Sequence, residues 1–193
     1  MSANIEYLKT LSNDPVCFIQ HNKHLNDKDI QLIDDINNNK YIIIQTNQQS
    51  EKNLFHLLNH WFLWTIMMKR DTTFYMSSTL VKSKEAIQQI LLEHQKSYNS
   101  LTVNKLLCRQ SKQIEFEHGG KFVIAPASID AGRGYYVDNL IIDSIHQIDD
   151  IKELLYCMLP RVVNTGKTIL VLGDNSKLQF LPNFISDNVI LKY

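Results

Sequence analysis

Apolar runs separated by short polar segments dominate the chain, and their spacing distinguishes strands from helices. Residues 40–45 contain an unbroken β-branched run, which predicts a central strand buried on both faces, as in parallel sheets. Gly119 and Gly120 separate two short apolar segments, residues 114–117 and 121–124, and predict a β-hairpin. Further strands are predicted at residues 73–77, 139–143 and 167–172, and a last one at 189–191 is expected to close the sheet.

Helical periodicity separates these strands. Asn26 is expected to cap a helix over residues 27–37, and Ser83 is expected to cap another. A longer helix over about residues 52–69 is apolar on nearly all sides, which is typical of a core helix, and a fourth is predicted over about 149–163. Alternating strands and helices predict a parallel sheet covered on both faces. Because ligands bind at the C-terminal ends of such strands, the candidate site comprises residues 46–53, 77–78, 143–144 and 173–175.

Composition restricts the possible partners. The 193 residues are 44% hydrophobic, which suits one domain with a buried core, and Lys+Arg and Asp+Glu both number 20, giving a formal net charge of zero. Nucleic-acid binders usually carry a basic excess, so DNA contact is expected to be weak without a local patch or a partner. Three cysteines without paired spacing predict reduced thiols in a cytoplasmic protein. Neither a signal peptide nor a membrane span is expected.

A strand, a short loop and a long helix form the geometry that binds phosphate through backbone N–H groups and the helix N-terminus. A working P-loop also needs glycine for its backbone path, lysine for the phosphates and Ser/Thr for Mg²⁺. The predicted loop, residues 46–53, has the sequence TNQQSEKN and contains no glycine. Glu51 would repel a bound phosphate there. The later sequence Gly166-Lys167-Thr168 follows a helix and opens a strand, so Gly166 is expected to be a helix C-cap rather than part of a P-loop.

Asp143 ends a predicted buried strand, which is the position where a Walker B carboxylate holds the Mg²⁺ shell. Ser144 follows Asp143, at the position where proteins that hydrolyse ATP with a Walker B carboxylate usually have a glutamate that activates water. A serine hydroxyl has too high a pKa to act as that base near neutral pH.

These elements follow the order found in the ATPase domain of viral large terminase subunits, particularly the T4-like group, which the chain resembles from about residue 15 to 175. The most specific match is residues 125–143, APASIDAGRGYYVDNLIID. The resemblance implies a three-layer αβα P-loop NTPase-like fold with a mostly parallel sheet and a β-hairpin. It implies one domain over residues 1–193, with a core at about 15–176 and a possible edge strand in 177–193. The family's C-terminal nuclease domain is expected to be absent.

The resemblance also implies which positions correspond to the family's nucleotide site. Arg133, with Gly134, and Asp143 are retained, whereas the catalytic glutamate corresponds to Ser144. The nucleotide-site equivalents are Gln48, Ser50, Glu51, Lys52, Asn53, Arg133 and Asp143, with the loop arginine on Asn47, the adenine-binding glutamine near Lys28 and the coupling segment on Gly173, Asp174 and Asn175. The family's loop glycine, lysine and Ser/Thr correspond to Ser50, Glu51 and Lys52. A one-residue shift would put Lys52 in the phosphate-binding position.

Other chemically interesting residues have a structural explanation that competes with a functional one. His56 and His60 have an i,i+4 spacing that suits a metal, but the sequence offers no evident third ligand, and His21 and His24 share that weakness. Trp61 and Trp64 are expected in the core. Two basic pairs, Lys69-Arg70 and Lys82 with Lys84, are expected at solvated helix ends rather than on DNA. Arg133 could form an ion pair with Asp130, Asp138 or Asp143.

The sequence therefore favours a terminase-like domain that does not hydrolyse ATP and acts as a binding or regulatory subunit in DNA packaging or head assembly. No catalytic residue and no cofactor are expected. If the site is competent, the expected ligands are ATP and Mg²⁺, and Asp143 is the expected metal ligand. The expected partners are packaging, portal or capsid proteins, or an active terminase. Two alternatives remain open: an ATPase subunit whose site a partner completes, and an interaction module without a nucleotide role.

Overall fold

The structure, a computed structural model, describes residues 2–98, 106–109, 112–117, 119–131, 133–172, 178–186 and 189–192. Within these residues one sheet contains eight strands in the order β3-β4-β5-β2-β6-β7-β1-β8. The strands are β1 (Tyr41–Gln45), β2 (Thr72–Ser77), β3 (Leu106–Arg109), β4 (Gln113–Phe116), β5 (Lys121–Pro126), β6 (Val137–Ile142), β7 (Val162–Leu172) and β8 (Val189–Lys192). Across the sheet, the six neighbouring strands β5-β2-β6-β7-β1-β8 pair in parallel. The β3-β4 and β4-β5 pairings are antiparallel.

Helices cover both faces of this sheet. They are α1 (Ser2–Asn13), α2 (Pro15–Gln20), α3 (Asp27–Asn38), α4 (Gln48–Trp64), α5 (Leu80–Glu93), α6 (Ile151–Met158) and α7 (Asn183–Ser186). Helix α4 continues as a π-helical turn, Thr65–Lys69, and α5 as another, His94–Tyr98. The fold is thus the three-layer, mostly parallel α/β arrangement that the sequence predicted. None of the helices in the described ranges has both the length and the apolar character needed to cross a bilayer.

The two layers of the core follow from the alternation of side chains along each strand. In β1, Ile42 and Ile44 face the layer of helices α1 to α5, whereas Ile43 faces the layer of α6 and α7. In β2, Tyr75 faces the layer of α1 to α5, and Phe74 faces the layer of α6 and α7. Both faces of the central strands are therefore apolar, which is why an unbroken hydrophobic run predicted them correctly.

Helix α4 crosses the larger core layer. Trp61 and Trp64 on this helix are buried, as the sequence predicted, and the Trp64 indole N–H donates a hydrogen bond to the carbonyl of Leu11 at 3.0 Å. That bond and the buried Leu11 side chain fasten α1 to the end of α4. Helices α1 and α2 were not predicted from the sequence, although Asp14 caps α2 by accepting hydrogen bonds from the backbone N–H groups of Val16 and Cys17.

Two helix starts differ from the prediction. Asn26 caps α3 as expected, in a reciprocal capping box with Asp29. Helix α4, however, begins at Gln48 rather than near residue 52, so most of the predicted loop 46–53 is helical. The prediction that Ser83 caps α5 was wrong. Thr79 is the cap, and the buried Ser83 hydroxyl donates instead to the carbonyl of Ala125 at 2.8 Å.

The predicted helix over 149–163 is also shorter than expected. Helix α6 ends at Met158, a 3₁₀ turn at Leu159–Arg161 follows, and β7 begins at Val162. Gly166 lies inside β7 where the pairing with β6 shifts register, so it is not a helix C-cap. A Cβ at Gly166 would lie 2.3 Å from the carbonyl oxygen of Asp138, so the close approach of two backbones requires glycine there.

Candidate functional site

A cavity of about 440 Å³ lies at the C-terminal ends of β2 and β6, between the first turns of α4 and the face of α5. This is the edge of a parallel sheet at which ligands bind. Glu51 and Lys52 reach it from α4, Tyr75 from β2, and Asp143 and Ser144 from the end of β6. The remaining lining residues are Phe55, Asn59, Lys82, Glu85, Ala86 and Gln89.

The N-terminus of α4 is capped by its own side chains. The Asn47 side-chain oxygen accepts the backbone N–H of Ser50 at 2.9 Å, which is the bond an N-cap residue makes. The hydroxyls of Thr46 and Ser50 lie 2.8 Å apart and form a further hydrogen bond. Only Thr46 and Asn47 separate β1 from the helix. The first turn of α4 therefore satisfies some of its backbone N–H groups internally, where a P-loop would present them to phosphate.

Asp143 is almost completely buried at the centre of this site, with 4% of its surface exposed. Its Oδ2 accepts hydrogen bonds from the hydroxyls of Tyr75 at 2.9 Å and Ser77 at 3.1 Å. Its Oδ1 has no hydrogen-bond partner among the described residues. Burial raises the pKa of Asp143 above its usual value, the hydrogen bonds from Tyr75, Ser77 and Ser144 oppose that rise, and the charge of Glu51 adds to it. The protonated carboxyl is thus favoured more here than in water.

Ser144 follows Asp143 with a left-handed backbone, at a φ of 54°. Such a φ is uncommon for a residue other than glycine. The chain turns there directly into a 3₁₀ turn, Ile145–Gln147, whose Gln147 accepts a hydrogen bond from the Lys82 ammonium at 2.7 Å. Lys82 lies in the first turn of α5, at a helix end as the sequence predicted, and it also lines the cavity.

The predicted site residues meet only in part. Glu51, Lys52, Asp143 and Ser144 line one cavity, as their positions at the strand ends predicted. Arg133 is not among the described lining residues. It is exposed and forms an ion pair with Asp130 at 2.8 Å, which is one of the structural pairings considered from the sequence. Asn53 is also exposed and away from the lining. The predicted coupling segment, residues 173–175, lies outside the described residues.

The sequence did not indicate Tyr75 or Gln89 as site residues. Tyr75 lies two residues before the end of a strand whose C-terminal residues were already of interest, so its alternation toward the α4 layer is a signal that could have identified it. Gln89 accepts a hydrogen bond from the Asn59 side chain at 3.2 Å, and no sequence pattern links these two residues. The structure also places Glu93 beside His56 and His60, although the sequence offered no third ligand.

Comparison with known proteins identifies the fold. No protein-family model matches the sequence, and no curated protein matches it. Solved structures do match. The large terminase of a thermophilic bacteriophage superposes with a TM-score of 0.64 and 9% identity, covering 89% of this chain and 45% of that one. The ATPase domain of the Thermus phage P74-26 large terminase gives a TM-score of 0.61 and 10% identity, covering 91% of this chain and 83% of that one.

The same thermophilic phage terminase has also been solved with ADP, and in that form it gives a TM-score of 0.64 with 10% identity over 88% of this chain and 45% of that one. This chain spans less than half the length of that terminase. The comparison confirms the predicted P-loop NTPase-like fold and its likeness to terminase ATPase domains.

Proposed function

We propose that this chain is a terminase-like domain that serves viral DNA packaging or head assembly as a binding or regulatory subunit and does not itself hydrolyse ATP. The terminase ATPase fold supports the packaging role. One observation carries the second part of the proposal: the buried Asp143 carboxyl accepts hydrogen bonds from Tyr75 and Ser77 and has a raised pKa. The Tyr75 and Ser77 hydroxyls already occupy Oδ2 of Asp143, so they compete with the hydration shell of Mg²⁺ for that oxygen.

The first turn of α4 is equally unsuited to a triphosphate. Its Ser50 N–H is taken by Asn47, and the neighbouring Glu51 side chain faces the cavity with a negative charge. No glycine is present between Thr46 and Lys52 to allow the close backbone path of a P-loop. The residues therefore do not fit MgATP bound as a P-loop binds it, and Lys52 alone would have to replace several missing groups.

The residue after Asp143 supports the same conclusion. Ser144 occupies the place of the water-activating glutamate and cannot act as a general base near neutral pH. Loss of one charge-stabilising group costs roughly 10²–10³ in rate, so several losses together leave no useful turnover.

Nucleotide binding and turnover of the purified chain test this proposal directly. Calorimetric titration with MgATP should show no saturable binding, and turnover should stay at the background of a protein-free sample. Glu51→Gln is the informative variant, because removing the charge that faces the cavity should raise any residual ATP affinity. Turnover in the ordinary enzymatic range, roughly 1–10³ s⁻¹, would overturn the proposal.

The proposed binding or regulatory role is tested by measuring the interaction of the chain with packaging proteins. The chain should bind an active large terminase, a portal or a capsid protein and change the terminase's ATP turnover or packaging rate. Alone, it should bind DNA only weakly. Absence of all these interactions, together with absence of nucleotide binding, would favour a module that serves a process other than packaging.

A second function, an ATPase subunit completed by a partner, is favoured by two features of the cavity. Asp143 Oδ1 has no hydrogen-bond partner in the described part of the chain, and the ammonium groups of Lys52 and Lys82 belong to cavity-lining residues. A partner could then supply the missing base. In a reconstituted assembly, Asp143→Ala should abolish ATP turnover under this alternative and leave it unchanged under the main proposal.

A further inference from the structure

A second polar cluster lies between α4 and α5, and none of its side chains lines the cavity at the strand ends. His56 and His60 are four residues apart on α4, so their rings project from the same helix face. Glu93, the last residue of α5, lies opposite both rings. Its Oε1 is 3.7 Å from Nδ1 of His56, and its Oε2 is 3.7 Å from Nε2 of His60. One carboxylate thus faces two imidazoles.

We propose that His56, His60 and Glu93 form a binding site for a divalent transition-metal ion of the zinc class, which fastens α4 to α5. Each of the three side chains offers one ligand atom, and these atoms lie within 4.8 Å of one another. Two imidazole nitrogens and one carboxylate oxygen form a donor set that zinc accepts in three-ligand sites, where water takes the fourth position.

The buried ring of His60 is the observation that points to a ligand. Only 2% of its side chain is exposed, and its Nε2 has no hydrogen-bond partner among the described residues. The 3.7 Å separation from Glu93 is too long for a hydrogen bond. Leaving such an atom unsatisfied destabilises the fold, and coordination of a metal would remove that cost.

The other nitrogen of His60 has the partner that a metal-bound histidine needs. Its Nδ1 lies 2.8 Å from the hydroxyl of Tyr98, which is itself buried. Tyr98 stacks on Phe18 with ring centroids 4.6 Å apart, so its position is fixed by the core. A hydrogen bond on the nitrogen that does not bind the metal holds the ring orientation and its tautomer in known metal sites.

Two features of the cluster oppose an ion: the present spacing of the three donor atoms and the positive charges nearby. A tetrahedral ion with ligands at 2.0–2.2 Å would bring the three donor atoms to about 3.3 Å from each other, which is closer than they are now. That adjustment falls on His56, 47% of whose side chain is exposed, and on Glu93 at the end of α5, while the buried His60 stays in place. Positive charges also face the cluster, from Lys23 near α2 and Lys96 after α5, and they oppose a cation. Lys23 interacts with Glu93 and therefore competes with the ion for it.

Metal titration of the full chain, after chelator treatment, tests the site with Zn²⁺ and with Co²⁺ as a spectroscopic probe. The expected result is one equivalent of Zn²⁺ bound, a raised melting temperature that chelator reverses, and visible Co²⁺ absorption typical of low coordination number. His56→Ala and Glu93→Gln should each weaken binding at least tenfold. Tyr98→Phe should weaken it by about tenfold, as expected for loss of a supporting hydrogen bond.

Controls separate this site from non-specific binding. His24→Ala removes an exposed histidine outside the cluster and should leave the affinity unchanged. Lys23→Gln should tighten binding several-fold, because it removes a competing charge, and a purely structural role of the cluster predicts no such gain. The proposal is overturned if Zn²⁺ binding is not saturable, or if His56→Ala and Glu93→Gln bind as well as the unmodified chain. His56→Ala is preferred to a His60 variant since its exposed ring is less needed for folding.

Discussion

The cavity at the strand ends and the histidine cluster between α4 and α5 each contain one buried titratable side chain with an unsatisfied atom. In the cavity, burial and the nearby charge of Glu51 raise the pKa of Asp143, so its charged form is disfavoured. In the cluster, burial and the charges of His56 and Lys23 lower the pKa of His60 to about 3, so the ring is neutral. A neutral imidazole is ready to bind a cation, whereas burial makes ionisation of the Asp143 carboxyl less favourable than in water.

The place where a fold usually binds its ligand therefore need not be the place best prepared for one. The strand ends are set by the fold, but Oδ2 of Asp143 there is already bonded to Tyr75 and Ser77. The α4-α5 pair is not a usual ligand-binding place of such folds, yet the donor atoms of His56, His60 and Glu93 lie together there. Fold similarity and site chemistry are therefore separate inferences, and each needs its own test.

Acidification should separate the two regions most strongly. As pH falls below about 6.5, the unfolded chain protonates its histidine first, so His60 makes the free energy of unfolding decrease until the pH approaches 3. We expect a loss of roughly 2–4 kcal/mol from this residue. Urea denaturation at several pH values measures it. His60→Gln should flatten the decrease and His24→Gln should not, and equal slopes in both variants would refute the assignment.

Asp143→Asn should stabilise the protein at neutral pH by about 1–2 kcal/mol, since it removes a charge that is costly to bury. The pKa of Asp143 is raised in the folded state, so the unmodified chain gains stability as pH falls through that pKa. The advantage of the variant should therefore shrink in acid. Chemical denaturation at pH 7 and pH 4 measures both quantities. A destabilised variant at pH 7 would mean that an ionised Asp143 contributes to the fold.

Tyr75→Phe should cost about 1 kcal/mol, because it removes one of the two hydroxyls that donate to Asp143 Oδ2. The double variant with Asp143→Asn tells whether the two residues act as a unit. We expect a coupling energy of about 0.5 kcal/mol or more in that cycle. Additive effects would indicate that the tyrosine hydroxyl contributes independently of the carboxyl.

Asn47→Ala should have the smallest effect, about 0.5–1 kcal/mol, from loss of the cap on α4. Asn53→Ala is the matched control: it changes the same residue type on the same helix at an exposed position and should be nearly neutral. Thermal melts of both variants suffice. If the two melts coincide, the first turn of α4 does not depend on Asn47.

Local patterns predicted the sheet well because its strands are buried on both faces, as residues 41–45 illustrate, and the last strand was found at its expected position. Where short-range signals compete, prediction was less accurate. Two hydroxyl residues, Thr79 and Ser83, could cap α5, and only the contact of Ser83 with Ala125 decides between them. The division of the chain into domains and the roles of the nucleotide-site equivalents remain predictions.

The candidate sites were predicted only where chain order places residues at a common edge. Asp143, Ser144 and Glu51 meet because parallel strands end together. Glu93 meets His56 and His60 through the packing of two helices, and nothing in the sequence fixes which residues of those helices face each other. Arg133 is exposed and pairs with Asp130, which is one of the ion pairs considered from the sequence, so its part in a nucleotide site remains a prediction.

Both tryptophans of the chain, Trp61 and Trp64, lie on α4, between the histidines and the π-helical turn. Their fluorescence therefore comes from a single helix, with the Lys69 ammonium 5.2 Å from the centre of the Trp64 ring. Emission and quenching of these indoles would follow that helix without an attached dye. An ion at the histidines or a nucleotide near its first turn could thus be detected by the same intrinsic optical signal.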